Sequence, residues 1–254
     1  KAQKILIELH QPIKGEFVLT NISSAEMIKY ASNSLLATKI SFANAIAFLC
    51  EKVGADVVKV LDGVGLDKRL GRNFLFPGIG YGGSCFPKDV KALNSMFKKA
   101  KIDVSLFEEV EKINKLAASR FVEKVAEALG NVFGKTVAVL GLAFKPDTDD
   151  MREAPSVKII KALQEKGAKI KAYDPVAIET AKQVLENVLY YKNPQETVTD
   201  VDCLLILTEW NEFKQLDLNK IKGLMRQPIL IDGRNIYDPQ RLKNLGFIYK
   251  GVGR

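Results

Sequence analysis

Apolar and polar positions follow a helical period through the first half of the chain and change character near residue 134. In residues 1–9, Ile5, Leu6 and Leu9 have helical spacing, while Glu16-Phe-Val-Leu-Thr20 has the composition of an edge strand. A stronger signal follows. Ser23 and Glu26 stand at capping-box spacing, with Ile22 and Met27 at the flanking staple positions. Helix-favouring residues then continue to about Val53, where Gly54 supplies a stop. Such a helix would span about 42 Å at 1.5 Å per residue, which suits a central spine. Its latter half, Ile40 to Leu49, is apolar nearly all round, so it is expected to be buried on more than one side, with a contact between subunits as one way to achieve this.

A short helix is predicted around Val57–Leu61 and another from Pro87 to about Lys99. A third opens at the capping pair Ser105 and Glu108, carries Val110, Ile113, Ala117, Phe121, Val125 and Ala128 on one face, and ends at Gly130. Residues 21–130 therefore read as all-helical. From Gly134 the apolar runs Val137–Leu140, Ile170–Tyr173, Val188–Tyr191, Cys203–Leu207 and Ile229–Ile231 alternate with helical stretches such as Val157–Glu165. Short buried strands separated by helices predict a doubly wound parallel sheet. The expected fold is thus α/β. A remnant at 1–20 precedes an all-helical central domain at 21–133 and a Rossmann-like domain at 134–254, with a hinge near 130–134.

At 254 residues, 47% hydrophobic, the chain can bury a substantial core in one to two domains. No unbroken apolar run reaches the roughly 18 residues of a membrane span, so no membrane is expected. Three scattered cysteines exclude a disulfide framework or zinc cluster, so no metal and a reducing, cytoplasmic setting are expected. The chain opens with Lys1 and without a signal-peptide pattern, which reads as a cut or processed start. The net charge of +8 favours anionic partners, yet the basic residues are dispersed and no nucleic-acid motif is present. A phosphorylated small molecule would also need positive charge, at a few placed residues, and the charge alone does not choose between the two. His10 is the single histidine and reads as incidental, which leaves acid–base work to Cys, Lys, Asp or Glu.

The candidate chemistry centres on Gly82-Gly83-Ser84-Cys85-Phe86-Pro87-Lys88-Asp89. Pro87 suits the first helical position, which places Cys85 at a positive helix end beside Lys88, and both favour thiolate over thiol. An inert cysteine in a turn is the plainer alternative. Asp89, one turn on, could activate water, hold the lysine or merely complement the helix dipole. Lys29 and Asn33 share a helix face, as an oxyanion- or water-holding pair or as a solvated one. The glycines of Phe74 to Gly83 superficially suggest a dinucleotide fingerprint, but no strand precedes them; a loop whose N–H groups line a sugar or phosphate pocket fits better. Lys145 and Arg152 follow the first strand and Arg234 follows the last, so two or three cations reach one sheet edge, as a pyrophosphate site or as scattered surface charge.

These blocks together resemble the nucleotide-sugar 6-dehydrogenase family, and within it the UDP-glucose 6-dehydrogenases. The resemblance rests on Ser24 through Asn33, Gly65 through Arg69, Phe74 through Asp89, Leu140 through Ser156, Tyr173-Asp-Pro175, Thr208-Glu-Trp210 and Ile231-Asp-Gly-Arg234. It implies oxidation of UDP-glucose to UDP-glucuronate with two NAD⁺, through a thiohemiacetal and then a thioester on Cys85. By the same resemblance Lys29, Asn33 and Asp89 are its catalytic companions. Substrate contacts would come from Lys29, Asn33, Phe76, Pro77, Gly78, Gly80, Tyr81, Gly82, Phe144, Lys145 and Arg234, and Arg69 would reach the partner's site in a homodimer. Cys85, Lys88 and Arg152 would face NAD, which the family holds mainly through an N-terminal domain with Gly-x-Gly-x-x-Gly that is not present here. The chain therefore resembles the substrate half of a longer enzyme and is expected to be inactive alone. The alternatives are a non-catalytic, dimerising UDP-sugar-binding fragment, or a relative acting on GDP-mannose or a UDP-N-acetylhexosamine. The GDP-mannose enzymes carry leucine where Phe86 stands, which favours UDP-glucose.

Overall fold

The computed structural model describes residues 2–254; Lys1, included in the helical spacing noted above, lies outside the described residues. The helical half comprises α1 (Ala2–His10), α2 (Ile22–Val53), α3 (Val57–Gly65), α4 (Phe86–Lys99) and α5 (Leu106–Leu129). The sheet half follows as β1 (Thr136–Leu140), α6 (Pro155–Glu165), β2 (Lys169–Tyr173), α7 (Ile178–Ala181), β3 (Val188–Tyr190), α8 (Pro194–Val198) and β4 (Cys203–Ile206). It ends with α9 (Asn211–Lys214), α10 (Leu218–Leu224), β5 (Ile229–Asp232), α11 (Pro239–Asn244) and β6 (Ile248–Gly251).

All six strands are parallel, in the order β3-β2-β1-β4-β5-β6. The order reverses between β1 and β4, the switch point at which ligands bind open α/β sheets. Both faces of the sheet are covered. Val137, Val139, Cys203, Leu205, Ile229 and Ile231 join a core with Ile159, Ile160, Phe121 and Val125 of the flanking helices. Ala138, Leu140, Leu204, Ile206 and Leu230 pack on the opposite face with Phe213, Ile221 and Leu242. Because α5 enters the first of these clusters through Phe121 and Val125, one continuous core spans the helical and sheet halves.

Several sequence expectations are corrected. Glu16–Thr20 forms no strand; its backbone is irregular, with Phe17 and Val18 at the surface. The spine is 32 residues long and is capped by Asn21, whose side chain accepts from Ser24 N, rather than by Ser23. Its staple positions, Ile22 and Met27, are exposed. Gly54 does end it, in the left-handed conformation at φ 74°. Ser105 precedes α5 without a side-chain cap; Glu108 instead pairs with Lys98 at 2.7 Å. The spine's latter half buries Ala43, Asn44 and Ala47 but leaves Phe42 and Leu49 at 48% and 58% exposure, so one of its apolar faces stays open in the single chain. By length and average composition α2 could cross a membrane, which the search for unbroken apolar runs missed. In this fold it buries Asn33, Ser34, Ser41 and Asn44 against protein.

Candidate active site

Cys85 is the N-cap residue of α4, and Pro87 occupies the helix's first turn. Its side chain is exposed, with Ser84 Oγ 3.7 Å from its sulfur. The loop leading to it is threaded between the two halves of the molecule. Asn44 Oδ1 on α2 accepts from Gly78 N at 2.8 Å. Asn114 on α5 grips the Tyr81 residue twice, accepting from its N–H at 2.7 Å and donating to its carbonyl at 3.0 Å. Gly83 N donates to Arg152 O at 2.8 Å. Three loop amides thus serve protein acceptors, which corrects the expectation that the loop's N–H groups as a whole face a pocket. Glycine is required where the backbones close up. A Cβ on Gly82 would lie 2.4 Å from Glu153 O, and one on Gly83, at φ +84°, 2.8 Å from the Phe144 ring.

This threading leaves a cavity of ≈ 410 Å³ between the halves. Phe74, Phe76, Gly80, Tyr81, Gly82 and Cys85 line it from the helical side, and Phe144, Lys145, Glu209 and Arg234 from the sheet side. The last four follow the C-terminal ends of β1, β4 and β5, on either side of the switch point. Arg234 donates to Leu207 O at 2.8 Å, reaches Gly80 O and Phe144 O at 3.4 Å each, and pairs with Glu209 at 3.2 Å. Lys145 Nζ lies 5.5 Å from the Phe144 ring centroid. A larger recess of ≈ 630 Å³ lies elsewhere, between Lys161 and Leu189, and is lined by no cysteine, serine or threonine.

A second cluster adjoins the cysteine through the helix α4 itself. Asp89 N donates to Cys85 O at 3.0 Å, so the aspartate sits one turn along α4. Its carboxylate is buried, accepts from the Asn33 side-chain amide and pairs with Lys88. Burial pushes this carboxyl upward, but the hydrogen bonds from Lys88 and Asn33 and the charges of Lys88 and Lys29 prevail and hold it below the usual range. Lys88 is raised first by its bond to Asp89 and, with smaller effect, by the Cys85 charge. Arg152 is raised first by Asp150, which it grips with Nε and Nη2, and again in part by Cys85. Two exposed cations therefore border the sulfur.

The structure brings Cys85, Phe76, Gly80, Tyr81, Gly82, Phe144, Lys145 and Arg234 into one cavity and puts Lys29, Asn33, Lys88 and Asp89 beside it. Pro77 and Gly78 are buried in the loop and do not line the cavity. Arg69 stands apart: it is exposed, pairs with Asp67 at 2.6 Å and borders an apolar groove with Leu35 and Phe42. Sequence reasoning missed Glu209, Phe74, Asn44 and Asn114. The two asparagines carried no usable signal, since other polar residues, Ser41 near Asn44 and Glu111 near Asn114, share their helices. Among the described residues no group of His, Cys, Asp or Glu could hold a metal ion.

Comparison with known proteins finds matches to both halves of the chain. Residues 23–116 match the central domain of the UDP-glucose/GDP-mannose dehydrogenase family, and residues 138–239 match that family's UDP binding domain. UDP-glucose 6-dehydrogenase TuaD of Bacillus subtilis is 51% identical over 255 residues; the alignment takes in 100% of this chain and 55% of that protein. The structure of a UDP-glucose dehydrogenase from Pyrobaculum islandicum superposes with a TM-score of 0.89 at 36% identity, covering 99% of this chain and 56% of the other. A UDP-D-ManNAc dehydrogenase from Pyrococcus horikoshii gives a TM-score of 0.85 at 31% identity, covering 100% of this chain and 57% of the other. The chain thus spans little more than half the length of these relatives.

Proposed function

Because the chain belongs to the UDP-glucose/GDP-mannose dehydrogenase family, we propose that it supplies the nucleophile and nucleotide-sugar site of a UDP-glucose 6-dehydrogenase. The observation that carries the reading is the exposed Cys85 at a helix N-terminus, opening onto a cavity whose far wall presents Lys145 and Arg234. Two cations at the carboxyl end of a parallel sheet suit a diphosphate, and the aromatic loop from Phe74 to Tyr81 suits the base and sugar. The high identity to TuaD favours UDP-glucose within the family.

In this mechanism the C6 alcohol is first oxidised to the aldehyde, and the Cys85 thiolate adds to that carbonyl to form a thiohemiacetal. Loss of a second hydride leaves a thioester, which water cleaves to the carboxylate and free thiol. NAD⁺, when bound, accepts one hydride in each oxidation. Lys88 and Arg152, both exposed and both within reach of the Cys85 charge, fit the pyrophosphate of such a dinucleotide. Asn33, fixed by its bond to Asp89, and the nearby Lys29 would orient the hydrolytic water and hold the oxyanion. Covalent capture keeps the reactive aldehyde from escaping.

The assembly in this reading is a homodimer. Ile28, Leu35, Phe42 and Leu49 recur every seven residues along α2 at 50%, 62%, 48% and 58% exposure, which leaves an apolar stripe for a second copy to cover. Arg69 borders the same face and would reach across it. Cytoplasmic residence and inactivity of this chain without an NAD-binding partner domain complete the proposal. The test is Cys85→Ser in an enzyme carrying this chain together with a dinucleotide-binding domain. The variant should form no UDP-glucuronate, and undiminished carboxylate production would refute the assignment.

A further inference from the structure

Asn235 follows Arg234 and takes a left-handed backbone at φ 53°. Its side chain leaves the cavity and grips Val252: Oδ1 accepts from Val252 N at 2.9 Å, and Nδ2 donates to Val252 O at 2.8 Å. The residues on either side of Val252 are fastened to the helical half. Glu51 on α2 accepts from Gly253 N at 2.8 Å, and Gly253 O accepts from Val57 N at 3.0 Å. Lys124 on α5 donates to Gly251 O at 2.6 Å while pairing with Glu51 at 2.5 Å. The fit around Gly253 is close; a Cβ there, at φ +76°, would lie 2.5 Å from Val57 Cγ1.

We propose that Asn235 is a positioning residue for Arg234, acting through the strap of residues 251–253 that joins the sheet to α2, α3 and α5. The inference rests on the reading of Arg234 as a nucleotide-sugar contact. Leu207 O at 2.8 Å and Glu209 at 3.2 Å hold the Arg234 side chain at Nε, while the terminal nitrogens that would meet a ligand reach Gly80 O and Phe144 O only at 3.4 Å each. The aim of those terminal nitrogens therefore depends also on the backbone, which is held on one side by Asp232 accepting from Arg234 N at 3.0 Å and on the other by the Asn235 clamp. Affinity for the diphosphate would therefore depend on a junction that touches neither substrate nor Cys85.

The experiment uses the enzyme carrying this chain with its dinucleotide-binding domain. Asn235→Gly keeps access to positive φ and removes both side-chain bonds. It should raise KM for UDP-glucose and Kd for UDP roughly tenfold, about 1.4 kcal/mol of binding. The kcat, the KM for NAD⁺ and the rate of Cys85 alkylation by iodoacetamide should stay within about twofold, less than 0.5 kcal/mol. Glu51→Ala should act in the same way, and Glu51→Gln, which retains an acceptor for Gly253 N, should recover most of the affinity. Unchanged UDP affinity in Asn235→Gly overturns the inference, as does a parallel loss of UDP affinity, kcat and alkylation rate, which marks general unfolding. Calorimetry with UDP gives this answer without turnover, so an unmodified enzyme that binds UDP but forms no carboxylate would sink the dehydrogenase reading and leave this one standing.

Discussion

Asn33 on α2 donates its side-chain amide to the buried carboxylate of Asp89 on α4, joining the spine to the helix that begins at Cys85. The same carboxylate pairs with Lys88, so the aspartate is ionised inside the protein by two neighbours from different elements. Its titration should consequently be visible in stability. A carboxyl held below its unfolded value of about 3.9 stabilises the fold fully above that pH and loses the contribution as pH falls through the folded value. The melting-temperature gap between the unmodified chain and Asp89→Asn should be widest near neutrality and close below about pH 4. A gap that stays constant from neutral to acid pH would dismiss the idea. In the full enzyme the same variant should lower kcat by about 10²-fold with little change in KM, as expected if Asp89 serves hydrolysis through Asn33 and its water.

Gly83 tests the close approach of the two halves. At φ +84° and with the Phe144 ring where a Cβ would go, alanine must displace either the loop or an aromatic wall of the cavity. Gly83→Ala should cost about 1–3 kcal/mol in chemical denaturation. It should also raise KM for the nucleotide-sugar more than tenfold, about 1.4 kcal/mol. Gly63, where a Cβ would meet nothing within 4 Å, is the control, and Gly63→Ala should be close to neutral or stabilising. Equal behaviour of the two variants would count against the packing argument.

The spine's open stripe predicts an assembly. Placing a charge in its middle, as Leu35→Asp with Phe42→Asp, should halve the mass seen by light scattering, because two carboxylates cannot be buried against an apolar partner face without a large desolvation cost. Helix content should persist, since both side chains are already exposed in the single chain. A dimer that survives the double substitution would place the contact elsewhere.

The long-period features of this chain were legible in its residues, and the local ones were not. A long run of helix-favouring composition ending at Gly54, and five apolar runs between helices, each repeat one preference often enough to be read, and both appear. β6 was missed because its four residues alternate in burial, exposed and partly polar, and look like loop. Glu16–Thr20 failed in the opposite sense: strand-like residues form no strand without a partner edge. Asn21, Ser23 and Ser24 can all cap a helix, and which one does so depends on where the preceding backbone turns. At the site, Cys85, Lys145 and Arg234 were readable because thiols and cations at element ends carry chemistry. Asn44 and Asn114 were not, because a single amide within a helix has the same sequence signature whether it faces water or a buried peptide.

Asn114 supplies the last test. Its carboxamide meets both the N–H and the carbonyl of Tyr81, and its Oδ1 occupies the place where a Cβ on Gly80 would lie 2.7 Å away. Asn114→Ala would strand a donor and an acceptor in a part of the loop that is closed to solvent, at a cost of about 1–3 kcal/mol for each group left without a partner. Asn114→Asp keeps the acceptor for Tyr81 N but sets a carboxylate oxygen against the Tyr81 carbonyl, so it should rescue only part of the loss, and more of it as acid protonates the new carboxyl. Denaturant midpoints of the two variants at neutral and acid pH decide the matter. If Asn114→Asp equals the unmodified protein at neutral pH, the donor half of the clamp contributes nothing, and the loop is held by the remaining hydrogen bonds and by packing.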